Sequence, residues 1–294
     1  MSQATSGKPQ SARQAASPRA RRAMAALGID PSAVRGSGPG GRIVEADVLK
    51  LQPRAGLAAG ATMVPLSAMR LAIARRTAES FATIPHFYLR SELDATALVG
   101  LRAQLLDGVQ RDHGVRLTLT DFILGAMAVA MADCPWANRI WRDGGLLQFP
   151  TVDLGLQVAV EDGLLAPVIR RADTLGLLGV GKERARLVAA ARSGKLPADA
   201  LGGAATSLSN LGDSRVDEFG AVIMPPQSSM LAVGRAAPRP LVVAGQLAVR
   251  TTLRLCLSVD HRVMDGAAGA KFLGRIVELL ENPLLLLWAA VRRG

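Results

Sequence analysis

Cysteine is nearly absent from this 294-residue chain, which contains only Cys134 and Cys256. They are far apart and belong to no paired pattern, so we expect neither a disulfide framework nor a cysteine zinc site. Such scarcity favours a reducing compartment, and we expect the bacterial cytoplasm, with the mitochondrial matrix left open. The N-terminus has no apolar core of a secretory signal. No apolar run approaches the ~20 residues that cross a bilayer, so we expect no membrane partner.

Aromatic side chains are also scarce, with three Trp, one Tyr and six Phe. The formal charge of +11 raises the question of nucleic-acid binding. Residues 1–62 carry nine Lys and Arg against three Asp and Glu, so the excess is concentrated in a small part of the chain. A compact basic module that docks on an acidic protein explains this distribution, and few aromatics are available for base stacking. We therefore expect no nucleic-acid partner.

Composition divides the chain into four segments. Residues 1–16 are Ser, Gln, Ala, Gly and Pro without periodicity and predict a flexible tail. Residues 17–52 predict a small helical module, in which Ser17 caps a helix and Gly28 ends it. Residues 53–62 predict a linker, and residues 63–294 a large domain.

A loop in the small module, at Gly36, Gly38 and Gly41, matches the GxGxxG pattern of dinucleotide sites. That fingerprint requires a buried strand before the loop and a long helix directly after it. Here a short helix precedes the loop, Pro39 interrupts it and the module ends soon after. We interpret it as a tight turn between two short helices.

Alternating apolar and polar residues predict strands in the large domain at 86–93, 152–160 and 251–259. Glu161-Asp162-Gly163 predicts a hairpin after the second of them. Helical patterns occupy residues 94–107, 121–133, 177–191 and 266–280. Strands and helices follow no regular βαβ rhythm, so we expect an α+β or layered α/β sandwich.

The string SVDHRVMDG carries the strongest chemical signal, because His261 directly follows a predicted strand and Asp265 is placed to cap the next helix. A histidine after a strand is also commonly a polar end group. Ser209 and Asn210 can simply end a strand in a side-chain turn. Arg70, with its helical neighbours Arg75 and Arg76, can be a solvated helix face.

Several strings together resemble one family, the dihydrolipoamide acyltransferase core component of 2-oxo-acid dehydrogenase complexes. They are TIPHFYLRSELD, DGLLAPVIRRAD, SLSNLG, PPQSSMLAVG and DHRVMDG, in the family's order. The resemblance implies a catalytic domain like chloramphenicol acetyltransferase, built as trimers or larger cores with active sites between subunits. By position, His261 matches the catalytic base, Ser209 the hydroxyl that stabilises the oxyanion, and Asp265 the aspartate of the motif. Arg70 is the candidate partner of that aspartate, and Gly266 completes the motif as structural support.

The small module, SPRARRAMAALGID followed by GSGPGGRIVEADVL, is similar to the family's peripheral subunit-binding domain. The resemblance implies contacts with the decarboxylating and dihydrolipoamide dehydrogenase components. Arg21 and Arg42 match its electrostatic contacts, whereas Ala25 stands where relatives can carry arginine.

Family members begin with lipoyl domains, whose modified lysine follows an aspartate at a hairpin tip. None of the five lysines, Lys8, Lys50, Lys182, Lys195 and Lys271, follows an aspartate. We therefore expect the lipoyl group to be supplied by a separate lipoyl-bearing protein, with coenzyme A as the other substrate and no metal.

The resemblance thus implies an acyltransferase between dihydrolipoamide and coenzyme A in a complex of the pyruvate or acetoin type. Acetyl is favoured because TIPHFYL resembles the pyruvate and acetoin members. The alternative is a non-catalytic scaffold that binds the dihydrolipoamide dehydrogenase component. Such relatives tend to lose the histidine, whereas this chain keeps His261 and Ser209. A carrier other than lipoamide stays open.

Overall fold

A computed structural model of the chain describes residues 15–51 and 61–292. The predicted tail and linker lie almost entirely outside these ranges. The chain divides into two compact units, Met1–Pro65 and Leu66–Gly294. No helix in the described ranges is long and apolar enough to cross a membrane.

The first unit is a helical module with a small core of its own. Its helices are α1 (Pro18–Leu27) and α2 (Glu45–Lys50). Ser17 Oγ accepts a hydrogen bond from the Ala20 amide, and Gly28 ends α1 in the left-handed conformation, as predicted. The string RIVEADVLKL indicates a helix from Arg42, but α2 begins only at Glu45 because residues 42–44 are extended and Val44 is the N-cap.

The glycine-rich loop of this module is a turn packed against its own backbone. A Cβ on Gly36 would lie 2.3 Å from the Gly41 carbonyl oxygen, so only glycine fits there. A short 3₁₀ turn follows at Pro39–Gly41. The loop follows no strand, in agreement with the rejection of a dinucleotide site.

The second unit is a mixed α/β domain, and the predicted α/β sandwich class is confirmed. Its helices are α3 (Ala68–Thr83), α4 (Thr96–His113), α5 (Leu119–Asp133), α6 (Gly176–Arg192), α7 (Gly266–Glu281) and α8 (Pro283–Val291). Its strands are β1 (His86–Asp94), β2 (Arg139–Arg142), β3 (Gly145–Gln148), β4 (Leu154–Leu156), β5 (Val158–Val160), β6 (Gly163–Leu165), β7 (Val168–Ile169), β8 (Thr206–Asn210), β9 (Ser229–Val233), β10 (Ala237–Val243) and β11 (Gln246–Asp260).

Seven strands form the main sheet, in the order β1-β11-β9-β8-β4-β7, with β10 pairing the first half of β11. β8 is parallel to both β9 and β4, and the other pairs are antiparallel. Two hairpins, β2-β3 and β5-β6, stand apart from this sheet.

The two faces of the sheet are covered differently. One face, which includes Leu257 and Val259, packs with α5 and α7 in the main core, where Phe272 is fully buried. Burial of one such side chain contributes about 1.5–3 kcal/mol. We call the opposite face the second face. Met230 and Cys256 lie on it under residues 219–224.

The predicted elements differ from the observed ones in two places. The strand predicted over 152–160 is two strands, because the chain leaves the main sheet at Gln157 to form the predicted hairpin β5-β6. The helix predicted from Asp94 begins at Thr96, whose amide donates to Asp94 Oδ1 (2.9 Å), and extends to His113.

Candidate active site

His261 lies directly after β11, in a turn that leaves the core. Its backbone N–H donates to the Pro85 carbonyl (3.0 Å), which ties the turn to the start of β1. Its ring packs against Phe87, with centroids 4.8 Å apart. The side chain is exposed, and the described residues offer its ring nitrogens no hydrogen bond. The backbone is therefore fixed while the imidazole stays free to act.

Asp260 holds this turn together. Its carboxylate is buried and accepts hydrogen bonds from the Arg262 amide (3.0 Å) and guanidinium (2.7 Å to NH2). The hydrogen bond that Arg262 donates to the Asp260 carboxylate raises the pKa of Arg262. The Arg262 guanidinium also lies over the Trp141 ring, 5.3 Å from its centroid. Asp260 itself is anchored, since its amide donates to the Ser228 carbonyl (2.8 Å).

Asp265 caps α7, as the sequence predicts. Its Oδ1 accepts a hydrogen bond from the Ala268 amide (2.7 Å), and its side chain is exposed. The structure does not bring it to Arg70: within the described residues, the Arg70 side chain makes no ion pair. The helix cap orients the carboxylate instead. Gly266 opens α7 with room for a Cβ, so the structure gives no steric reason for glycine there.

Ser209 lies on β8, on the second face of the sheet. It pairs with Ala232 of β9, which in turn pairs with Cys256 of β11. His261 is five residues beyond Cys256 and two strands away from Ser209. With ~3.3 Å per residue and ~4.8 Å per strand, the two residues of one chain are about 19 Å apart. They cannot act on the same carbonyl within one chain.

The end of β8 is fixed by Asn210, which was predicted only as a strand terminator. Its Nδ2 donates to Thr120 Oγ1 (2.9 Å), and its Oδ1 accepts from the Gly212 amide (2.7 Å) in a side-chain turn. The described residues give Ser209 Oγ no hydrogen-bond partner. Ser209 is thus another free side chain on a fixed backbone.

The other side chains that could carry chemistry, His86 and the two cysteines, have structural roles. His86 Nε2 accepts a hydrogen bond from the Ile223 amide (3.1 Å), and its Nδ1 lies 2.9 Å from the Ile84 carbonyl oxygen, so the ring joins two backbone segments. Burial raises the pKa of the thiols of Cys134 and Cys256, which disfavours the reactive thiolate. No cluster of three metal-ligating side chains occurs in the described part of the chain.

The small module presents a basic surface. Arg21 and Arg42 are exposed, and Arg21 Nε donates to the Ala16 carbonyl (3.1 Å). The acidic Asp47, by contrast, is buried. Hydrogen bonds from the Ser37 hydroxyl (2.6 Å), the Ser37 amide and the Val44 amide lower the pKa of Asp47 to about 2. This carboxylate closes the loop and is withdrawn from the surface.

Two family models match the chain. Residues 58–288 match 2-oxoacid dehydrogenases acyltransferase (catalytic domain), and residues 15–49 match the e3 binding domain.

Named relatives extend this similarity to almost the whole chain. The chain is 35% identical over 279 residues to the dihydrolipoyllysine-residue acetyltransferase component of the pyruvate dehydrogenase complex of Rickettsia conorii, covering 92% of this chain and 68% of that protein. It is 39% identical over 282 residues to the mitochondrial protein of the same name from Neurospora crassa, covering 92% and 61%.

A solved structure matches the large domain. It is the dihydrolipoamide acetyltransferase of Azotobacter vinelandii, with a TM-score of 0.75 and 32% identity over 80% of this chain and 99% of that one. Its catalytic mechanism was studied at a serine, a histidine and an asparagine. Sequence, fold and domain order agree, and the chain belongs to the 2-oxoacid dehydrogenase acyltransferase family, with an e3 binding domain ahead of its catalytic domain.

Proposed function

We propose that the protein transfers an acetyl group between a dihydrolipoyl thioester and coenzyme A, as the core of a pyruvate dehydrogenase complex. The single observation that carries this proposal is the spacing of Ser209 and His261 along the sequence. They are 52 positions apart, as are the serine and histidine studied in the Azotobacter vinelandii enzyme. The asparagine of that enzyme follows its histidine by four positions, where this chain has Asp265.

The active site forms between two copies of the chain. The separation of about 19 Å between His261 and Ser209 in one chain requires that one copy supplies the imidazole and the next supplies the hydroxyl. A trimer closes such head-to-tail contacts into a ring with three equivalent sites. A crystal structure with 32% identity is described as the cubic core of the pyruvate dehydrogenase complex, which supports a larger assembly of trimers.

The chemistry follows from the two free side chains. A thiol has an ordinary pKa of about 8.5 and an imidazole of about 6.5, so a neutral imidazole can accept the thiol proton of coenzyme A at neutral pH. The thiolate attacks the thioester carbonyl and a carbon–sulfur bond forms. The negative charge on the carbonyl oxygen receives a hydrogen bond from the Ser209 hydroxyl. The bond to the lipoyl sulfur then breaks, and that sulfur takes the proton from the His261 imidazolium.

Asp265 contributes to this site by its position at the start of α7. As the N-cap of α7, it fixes the residues that follow the His261 turn. Its negative charge near the helix N-terminus is favourable in itself.

The small module binds the dihydrolipoamide dehydrogenase component through its exposed arginines, with Arg21 and Arg42 as contacts for acidic groups. Because both arginines are exposed, they contribute mainly to the rate and the specificity of association. The decarboxylating component supplies the acetyl group to the lipoyl arm.

The lipoyl arm is carried on a lysine outside the five of this sequence. Lys50, Lys182 and Lys271 lie on helices and Lys195 lies three residues beyond the end of α6, so the described lysines occupy no hairpin tip. Lys8 lies outside the described residues. Intact mass spectrometry of protein from the native host should find no lipoyl adduct on these lysines, and an adduct on any of them would contradict this assignment.

The direct test is transfer from acetyl-CoA to free dihydrolipoamide by the purified chain. Lack of transfer by a folded assembly would exclude this reaction and leave the scaffold function or transfer to another carrier. The shared site is tested by co-expressing His261→Ala and Ser209→Ala chains, each inactive alone. In random mixing, about a quarter of the sites receive both intact residues, so activity should return to about a quarter of wild type. A site within one chain would recover none.

A further inference from the structure

Gln157 directly follows β4 and lies beside Ser209 of β8. Its amide donates to the Leu208 carbonyl (2.9 Å), one residue beyond the last pair between β4 and β8, Leu156 with Leu208. Because side chains alternate along a strand, Gln157 points to the same face as Gly155, whose partner Ser207 shares the second face with Ser209. Gln157 and Ser209 are therefore neighbours on that face.

The carboxamide of Gln157 is unsatisfied. Both its oxygen and its nitrogen are buried, and the described residues give neither a hydrogen-bond partner. A buried polar group without a partner destabilises the fold relative to a paired one. Gln227 provides a contrast nearby, because its Oε1 accepts a hydrogen bond from Ser207 Oγ (2.8 Å). Two glutamines thus lie close together, one paired and one not.

Both glutamines line a cavity of about 430 Å³ on the second face. That volume is within the range of about 300–1,000 Å³ of small-molecule sites. Its walls are mostly apolar and come from α3, from β6 and from the segment before β9; examples are Ile73, Leu164, Val222 and Met224. Arg76 and Thr77 of α3 also line this cavity, and Gln157 is the polar side chain that reaches it from the end of β4. A mostly apolar cavity with a few polar groups is suited to a flexible chain that carries a polar function.

We propose that Gln157 binds an amide of the substrate arm beside Ser209 and so determines substrate specificity. This inference rests on the proposed function. Both substrates of that reaction have the required chemistry, since the lipoyl arm ends in an amide and the pantetheine arm of coenzyme A contains amides. A carboxamide side chain offers one donor and one acceptor group, which is the pattern an amide needs. The arm would supply the hydrogen-bond partners that the described residues do not give this carboxamide.

The test is Gln157→Met, which keeps the length of the side chain and removes both polar groups. Transfer is measured from acetyl-CoA to dihydrolipoamide and to dihydrolipoate, which has a carboxylate in place of the amide. Loss of one hydrogen bond should raise a KM about tenfold, with a much smaller effect on kcat. A higher KM for dihydrolipoamide, with loss of its preference over dihydrolipoate, assigns Gln157 to the lipoyl arm. A higher KM for acetyl-CoA alone assigns it to the pantetheine arm.

Thermal unfolding separates binding from a structural role. Removal of an unpaired buried carboxamide should leave the melting temperature of Gln157→Met unchanged or raise it. Gln227→Met is the comparison for stability: it breaks the bond to Ser207 and should lower the melting temperature. A Gln157→Met protein that fails to fold, or has unchanged KM values, overturns the inference. If wild type transfers no acetyl group, the proposed function itself fails.

Discussion

The turn that carries His261 and the strand that carries Ser209 are held in different ways. The turn is local: Asp260 and Arg262 pair across two residues, and backbone bonds tie the turn to Pro85 and Ser228. The strand is held by the sheet itself, between β4 and β9. In both places the backbone is fixed and the functional side chain is left free. The conformation of the turn therefore depends on a few side chains, whereas the position of the strand depends on the whole fold.

His261→Ala should have the largest effect, because it removes the proposed base while leaving every backbone bond of the turn. We expect acyl transfer to fall by about a thousandfold or more, with unchanged melting and assembly size. Steady-state transfer to dihydrolipoamide, thermal unfolding and light scattering measure these three quantities. His113→Ala, at the exposed end of α4, is the matched control and should change neither. Transfer within a few-fold of wild type would remove His261 from the mechanism.

Ser209→Ala should cost about a hundredfold in kcat, since it removes one oxyanion donor and leaves the base. The hydroxyl has no partner among the described residues, so the melting temperature should not fall. Ser207→Ala is the opposite case on the same strand: it removes a buried hydrogen bond to Gln227 and should lower the melting temperature. If Ser209→Ala raised only KM, its oxyanion role would be wrong.

Asp260→Ala tests whether the turn depends on one carboxylate. It leaves Arg262 without its partner, and breaking a buried pair typically costs about 3–5 kcal/mol. Arg262 is 31% exposed, so the loss should be at or below the lower end of that range. We expect a lower melting temperature together with reduced kcat, because the His261 backbone shifts. Asp112→Ala, which breaks an exposed pair with Arg111, should have little effect on either. Equal melting temperatures for the two variants would contradict the role of Asp260.

The smallest effect is expected from pH on the first unit. The pKa of Asp47 is about 2 in the folded module, below its ordinary value of about 3.9. A depressed folded pKa stabilises the fold fully above about pH 4 and loses that contribution as the pH falls towards 2. Hydrogen exchange of peptides from residues 17–51 in the full chain should therefore quicken, relative to the rest, over this interval. Asp47→Asn should abolish this pH dependence, and an unchanged dependence would exclude Asp47 as its source.

Sequence patterns predicted the elements whose partners are set by periodicity. The β1 and β11 patterns and the all-round apolar α5 follow from alternation or burial that can be counted along the chain. The positions of His261 and Asp265 could also be predicted from the sequence, because a strand end and a helix cap are local signals.

The features that sequence patterns did not predict depend on contacts between segments that are far apart along the chain. The bond from Ile223 to His86 and the position of Gln157 beside Ser209 follow from strand order, which no local pattern encodes. One signal was available: Gln157 is the only polar residue in the run LGLQVAV. The interpretation of 152–160 as one continuous strand concealed it, because the break at Gln157 separates β4 from β5.

The proposed sharing of His261 and Ser209 between chains has a consequence for how defects spread through an assembly. In the proposed ring of three, each chain contributes its imidazole to one neighbour and its hydroxyl to the other. A single chain that lacks both residues therefore silences two sites of its ring and leaves one intact. Such a chain, expressed beside normal copies, would act as a dominant inhibitor, and its potency would exceed its share of the protein pool.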